Sequence, residues 1–382
     1  MSVEPFTIAV PDDVVDDLHQ RLARTRWPHA SDGDDWGRGV DLAYLRELCA
    51  HWENDYDWRA QEAALNQLPQ FTTEVDGVRV HFVHARGVGP SPTPLLLTHG
   101  WPDSFHRFHK VIPMLTDPER HGGRAVDAFD VIVPSIPGFG FSDRVARPST
   151  AVADLWAALM TTLGYDRFAA AGGDVGQGVT MALALRHPER LTGIHLTDVG
   201  YPTGQETDLS PAEQTFAEFI QGWWFMEGAY AALHMTKPNA LAPALHDSPA
   251  GLAAWMLSFL NSGADAHRVE DAFGGRDALL TNLTLYWVTE TAKTSMQMYQ
   301  EDVRAAFAGD SPAAGRSTVP AGIARFPREA PFPREWAERF VNVQRFNDLP
   351  EGGHFAALEV PEVFTSELRT FFAELSAGQD AR

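Results

Sequence analysis

Gly172-Gly173-Asp174-Val175-Gly176 follows the apolar run Phe168–Ala171 and precedes a helical stretch. A turn of this form between strand and helix holds its central residue in strained backbone geometry that only small neighbours permit, and presents that one side chain at the end of the strand. Here the central residue is Asp, and no Gly-x-Ser-x-Gly occurs elsewhere in the chain. A carboxylate is already anionic at neutral pH, so Asp174 can attack an electrophilic carbon without help from a base. The resulting ester must then be hydrolysed, which calls for a base, an acid to orient it and donors for an oxyanion. His354, in Gly352-Gly353-His354-Phe355 near the C-terminus, stands where the chain order nucleophile, acid, base puts the base. For the acid, Glu329 follows the apolar stretch Val319–Arg325 one strand earlier; Asp348 competes, but it sits in the base's own loop with less room to reach round the ring. The backbone N–H groups of Trp101, in His99-Gly100-Trp101-Pro102, and of Val175 are the expected oxyanion donors. His99 itself reads as a structural hydrogen-bonding residue.

The elements that must position these groups are legible as changes of periodicity. Val14, Val15, Leu18 and Leu22 recur at helical spacing over 12–27, and further helices are expected over 41–53 and 58–68. Phe71–Val83, with Asp76-Gly77 at its middle, reads as a β-hairpin. Leu95–Thr98, Phe129–Val133, Phe168–Gly172 and Gly193–Thr197 are short apolar runs bounded by turn residues and separated by helical stretches, one of them over 177–186, which implies a doubly wound, mostly parallel α/β sheet. The stretch 212–303 is helical in tone and rich in aromatics, and reads as a lid inserted in that core. Strands are expected to return over 319–325 and 341–346, before a closing helix over 360–375. The expected division is a helical extension over 1–70, a core over 71–211 and 304–382, and the lid between them.

Composition narrows the chemistry. With 30 Lys and Arg against 51 Asp and Glu, the formal charge of −21 repels phosphate backbones and argues against nucleic acid or anionic lipid as partner. The 44 % of hydrophobic residues supply a large core. A single cysteine, Cys49, excludes an internal disulfide and a cysteine-based zinc site. There is no basic, apolar leader and no membrane-spanning run, so the expected location is the cytoplasm.

Taken together, the sequence resembles the epoxide hydrolases of the microsomal and juvenile-hormone type. The likeness runs through Leu22-Ala23-Arg24-Thr25-Arg26-Trp27-Pro28, Leu68-Pro69-Gln70-Phe71, His81-Phe82-Val83-His84, Pro137-Gly138-Phe139-Gly140-Phe141-Ser142 and the segment from Lys237-Pro238 to Trp255. The resemblance implies an α/β-hydrolase fold, with Asp174 as nucleophile, His354 as base and Glu329 as acid. It also implies two lid tyrosines that hold the epoxide oxygen, matched by Tyr230 and Tyr299, and a reaction of epoxide and water to a vicinal diol with neither cofactor nor metal. One departure is Val175, where the family usually carries Trp; the backbone N–H survives, and the missing indole is expected to widen the pocket. Trp223, Trp224 and Phe225 suggest an aryl or polycyclic epoxide, in antibiotic metabolism or detoxification. The alternatives are a haloalkane dehalogenase, which grips its halide with an indole that Val175 lacks, and a non-catalytic binding protein. Pairing as a homodimer stays open.

Overall fold

The computed structural model describes residues 2–29, 31–33, 35–312 and 315–380. Among these, nine strands form one sheet: β1 (Glu4–Pro5), β2 (Gln70–Val75), β3 (Val78–Ala85), β4 (Thr93–Thr98), β5 (Phe129–Pro134), β6 (Phe168–Gly172), β7 (Leu191–Leu196), β8 (Pro320–Arg325) and β9 (Asn342–Asp348). Their order is β1-β2-β3-β5-β4-β6-β7-β8-β9. The first four in space pair antiparallel and the rest parallel, the arrangement of an α/β-hydrolase sheet. Helices cover both faces of the parallel part, so β4, β5 and β6 read as unbroken apolar runs and Leu95–Leu97, Val131–Val133 and Ala169–Ala171 are all buried. Each fully buried Leu or Val contributes about 1.5–3 kcal/mol of transfer free energy.

The hairpin turns at Asp76 and Gly77, both at positive φ, which Asp and Gly tolerate best. Two details differ from expectation. The first helix covers Asp12–Ala23 and stops short of Trp27, because Pro28 disfavours the helical conformation in the residue before it; Trp27 instead lies under the Arg46 guanidinium. The opening segment is also not helical throughout, since Glu4 and Pro5 pair with Thr72 and Phe71, a contact too short to leave a period-2 pattern.

Between β7 and β8 the described residues form seven helices, Pro211–Met226, Ala229–Thr236, Pro238–Asp247, Pro249–Gly263, Val269–Phe273, Arg276–Thr289 and Ala292–Phe307. The first begins with a capping box in which Ser210 and Glu213 satisfy each other's backbone N–H groups, worth about 1 kcal/mol. The helices Leu42–Asn54 and Trp58–Leu65 start on Asp41 and Asp57 caps and lie against this insertion. Trp52 Nε1 donates to Thr284 Oγ1 at 3.0 Å and Tyr56 OH pairs with Thr281 Oγ1 at 3.1 Å. Cys49 is buried on the same helix, its thiol pushed up to about 12 by burial. Among the described residues no helix is long and apolar enough to cross a membrane.

Candidate active site

At the end of β6 the backbone of Asp174 adopts φ 57° and ψ −132°, a conformation L-residues rarely take, before entering the helix Val175–Arg186. The helix can start there only because Gly176 has no side chain: a Cβ would stand 2.1 Å from the Thr98 carbonyl oxygen of β4. The turn brings Asp174 Oδ1 under two backbone donors, Trp101 N–H at 2.8 Å and Val175 N–H at 2.7 Å. Gly100 allows that approach, since its Cβ would lie 2.3 Å from the same oxygen. Oδ1 thus lies in a two-donor backbone hole, and Oδ2 is turned to the other side.

Oδ2 lies 3.2 Å from His354 Nε2, and His354 Nδ1 lies 2.8 Å from Glu329 Oε1. His354 and Glu329 are 6 % and 7 % exposed. Burial alone would pull the imidazole down, but the charge of Glu329 and the partnership with Asp174 and Glu329 hold it well above its ordinary range. The rival acid Asp348 is turned away, its exposed side chain paired with Arg325 at 2.6 Å. His99 is buried beneath the oxyanion loop, with Nε2 accepting from Ile136 N–H at 3.2 Å and Nδ1 3.1 Å from the Gly100 carbonyl oxygen.

Tyr230 and Tyr299 reach the same cavity from the helices Ala229–Thr236 and Ala292–Phe307, with ring centroids 6.4 Å apart. Tyr230 stacks on the Trp101 indole at 5.1 Å, and the buried Tyr299 hydroxyl has no hydrogen-bond partner among the described protein groups. Burial, then the charge of Asp174, pushes both phenols well above 10, so both remain protonated donors. The cavity measures about 460 Å³ and also meets Val175, Trp223, Trp224 and Phe259. Phe225 is not part of it: it is 88 % exposed, because Trp223 and Trp224 take the inward face of their helix.

Two residues that the sequence did not point to complete the site. Asp198, just beyond β7, accepts the Asp174 N–H through Oδ2 at 2.7 Å and so ties down the strained elbow. Burial, then the neighbouring charge of Glu329, pushes its carboxyl well above the usual range. His234 lies one turn beyond Tyr230, edge-on to Trp101 at 4.6 Å, and accepts from Trp255 Nε1 at 3.0 Å. Burial lowers it to about 3, so it is neutral. A lone Asp after a strand leaves no pattern to find, whereas the Tyr230 to His234 spacing of four is a readable helical signal. Asp198, Glu329 and His354 could each offer one atom, all within 4.8 Å, to a metal ion. Both imidazole nitrogens already face carboxylates, however, so a metal there would take the base from Asp174 or from Glu329.

Comparison with known proteins places this geometry. Residues 3–108 match the family model described as "Epoxide hydrolase N terminus", and residues 93–233 match that of the alpha/beta hydrolase fold. A Stigmatella aurantiaca protein whose epoxide hydrolase name is provisional is 43 % identical, the alignment covering 98 % of this chain and 86 % of the relative. Epoxide hydrolase 1 of Sus scrofa is 32 % identical over 98 % of this chain and 89 % of its own. Among solved structures, the epoxide hydrolase of Aspergillus niger superposes with a TM-score of 0.84 at 29 % identity, covering 98 % of this chain and 96 % of that one. The juvenile hormone epoxide hydrolase of Bombyx mori does so at 0.81 and 27 %, covering 98 % and 94 %.

Proposed function

The chain belongs to the epoxide hydrolase family, and from there we propose that it opens its epoxide through a covalent ester on Asp174. Asp174 Oδ2 attacks a ring carbon in line with the breaking C–O bond, while Tyr230 and Tyr299 hydrogen-bond the departing oxygen and one of them gives it a proton. A positioned general acid is worth on the order of 10²- to 10⁴-fold. His354, oriented by Glu329, then takes a proton from water, and the hydroxide attacks the ester carbonyl. The negative charge develops on Oδ1, already between the Trp101 and Val175 N–H groups, where removing one donor costs roughly 3–4 kcal/mol. Collapse of the tetrahedral intermediate breaks the ester C–O bond, and the departing alkoxide takes the proton of the new carboxylic acid to leave as the vicinal diol. The carboxylate is thereby regenerated, and the proton held by His354 restores the tyrosine that gave one up.

The observation that carries this reading is the placement of one carboxylate with Oδ1 in a two-donor hole and Oδ2 facing a histidine-carboxylate pair. The aromatic wall of Trp223 and Trp224 supports an aryl epoxide as substrate. In the same reading residues 212–303 act as a lid over a core of 71–211 and 304–382, and residues 1–70 strap that lid down. A single turnover of styrene oxide with excess enzyme in H₂¹⁸O tests the route: the new oxygen of the diol comes from Asp174, so the first diol is unlabelled and the label enters the protein. A labelled first diol would mean that water attacks the epoxide directly.

A further inference from the structure

The cavity continues beyond the reacting atoms, along a face of the helix Ala292–Phe307 that presents Tyr299, Asp302 and Ala306, and a face of Val175–Arg186 that presents Gly178 and Met181. Seven residues separate Tyr299 from Ala306, so this lobe is about 10 Å long. Of the cavity's titratable acids and histidine, Asp174, Asp198 and His354 belong to the reacting site, and Asp302 lies along this lobe. Asp302 accepts the backbone N–H of Ser149 and, at 3.0 Å, its hydroxyl. It therefore sits at the positive end of the helix Ser149–Thr162, which favours a carboxylate. No Lys or Arg pairs with it among the described residues. Burial lifts its carboxyl to about 6, which leaves it ionised at neutral pH. Its two oxygens offer about four lone-pair sites; Ser149 uses two, and the remaining acceptor capacity borders the cavity.

Gly178 is the second observation. A glycine inside a helix costs about 1 kcal/mol relative to alanine, so the position is held for space rather than for helix stability. A Cβ there would stand 3.2 Å from Ser149 Oγ, beside the group that anchors Asp302. A larger side chain there would crowd Ser149 and the edge of the lobe beside it.

We propose that this lobe is a recognition subsite for a hydrogen-bond-donating group, an alcohol or a protonated amine, carried by the epoxide substrate, with Asp302 as the acceptor and Gly178 as the residue that gives it room. The proposal rests on the epoxide reading and names the substrate class for it: a bifunctional epoxide, polar at the end remote from the ring.

The test compares 1,2-epoxyalkanes bearing a terminal hydroxyl, at chain lengths of roughly five to eight carbons that span the lobe, with matched compounds carrying methyl in place of the hydroxyl. The hydroxylated compound of the fitting length is expected to show a KM about five-fold lower at similar kcat, the size of one hydrogen bond to a charged acceptor after its desolvation. Asp302→Leu should abolish that preference, so that hydroxylated and methyl compounds of equal length show equal KM. Gly178→Leu, which removes no cap and favours the helix, should raise KM for the hydroxylated probes and spare styrene oxide. Equal KM for both series in the wild type at every length, or a preference that survives both substitutions, would overturn the subsite while turnover of the methyl series keeps the epoxide reading intact. Failure to open any epoxide would instead overturn that reading and the subsite with it.

Discussion

The Asp174 carboxylate is held on both sides, two backbone N–H groups fixing Oδ1 and His354 facing Oδ2, while the elbow's own N–H is tied to Asp198. In the proposed route the leaving oxygen is protonated by Tyr230 or Tyr299, whose phenols are kept neutral by burial and by the charge of Asp174. Replacing either with Phe should slow single-turnover ester formation by on the order of 10²-fold while the hydrolytic half keeps its rate; equal slowing of both halves would argue for a packing role instead. At this scale the sequence is most legible where the chemistry demands an unusual local turn. Asp174 and His354 announce themselves through flanking glycines, and Glu329 through its place after β8. Asp198 does not, because its role depends on a backbone N–H that comes near only in the folded chain.

Elements far apart in sequence share the work of aiming the oxyanion donors. The helix Arg276–Thr289 bonds the oxyanion loop on one side, Asn282 Nδ2 to the Pro102 carbonyl and Tyr286 OH to the Asp103 carbonyl, both at 2.7 Å. On the other side it receives Trp52 and Tyr56 from the opening helices. Below it, Asp103 accepts Gly100 N–H through Oδ1 at 2.7 Å and pairs through Oδ2 with the buried Arg107, which in turn donates to the His354 carbonyl. The opening segment is thus linked to the donor at Trp101 through one helix. Displacing a catalytic group by about 1 Å can cost on the order of 10²-fold in rate. Asn282→Ala should therefore lower kcat by at least about ten-fold, with the deficit in ester hydrolysis, where the hole stabilises charge; unchanged hydrolysis would mean that the loop needs no help from the helix. Helical spacing revealed the opening helices but not what they touch, since Thr281 and Thr284 are ordinary residues on a helix that is buried nearly all round.

Across the whole molecule, buried neutral histidines set the response to acid. His81 and His234 are held to about 3, and His84 and His195 to about 4, chiefly by burial. Unfolded, each would titrate near 6.5, so below that pH the unfolded chain binds protons the native state refuses. Stability should fall by up to about 1.4 kcal/mol per histidine per pH unit from pH 6.5 down to these folded values. His354 acts with the opposite sign: its folded value is raised, so its contribution is present below about 6.5 and is lost as pH rises through that folded value. The thermal midpoint is accordingly expected to drop steeply between pH 6.5 and 5; a flat midpoint there would contradict the neutral, buried state of these groups. The parallel core was legible because strands buried on both faces are continuous apolar runs; the spatial order of the strands was not, because it depends on which runs pair in the folded chain. The pairing of Glu4–Pro5 with β2 was not, because two residues carry no period. The proposed route depends on the ester on Asp174. Intact mass spectrometry of His354→Gln after incubation with styrene oxide, followed by peptide mapping, tests it most directly. An increment of one epoxide on the peptide containing Asp174 is the predicted result. An unmodified protein, from a preparation whose wild type turns the same epoxide into diol, would contradict it.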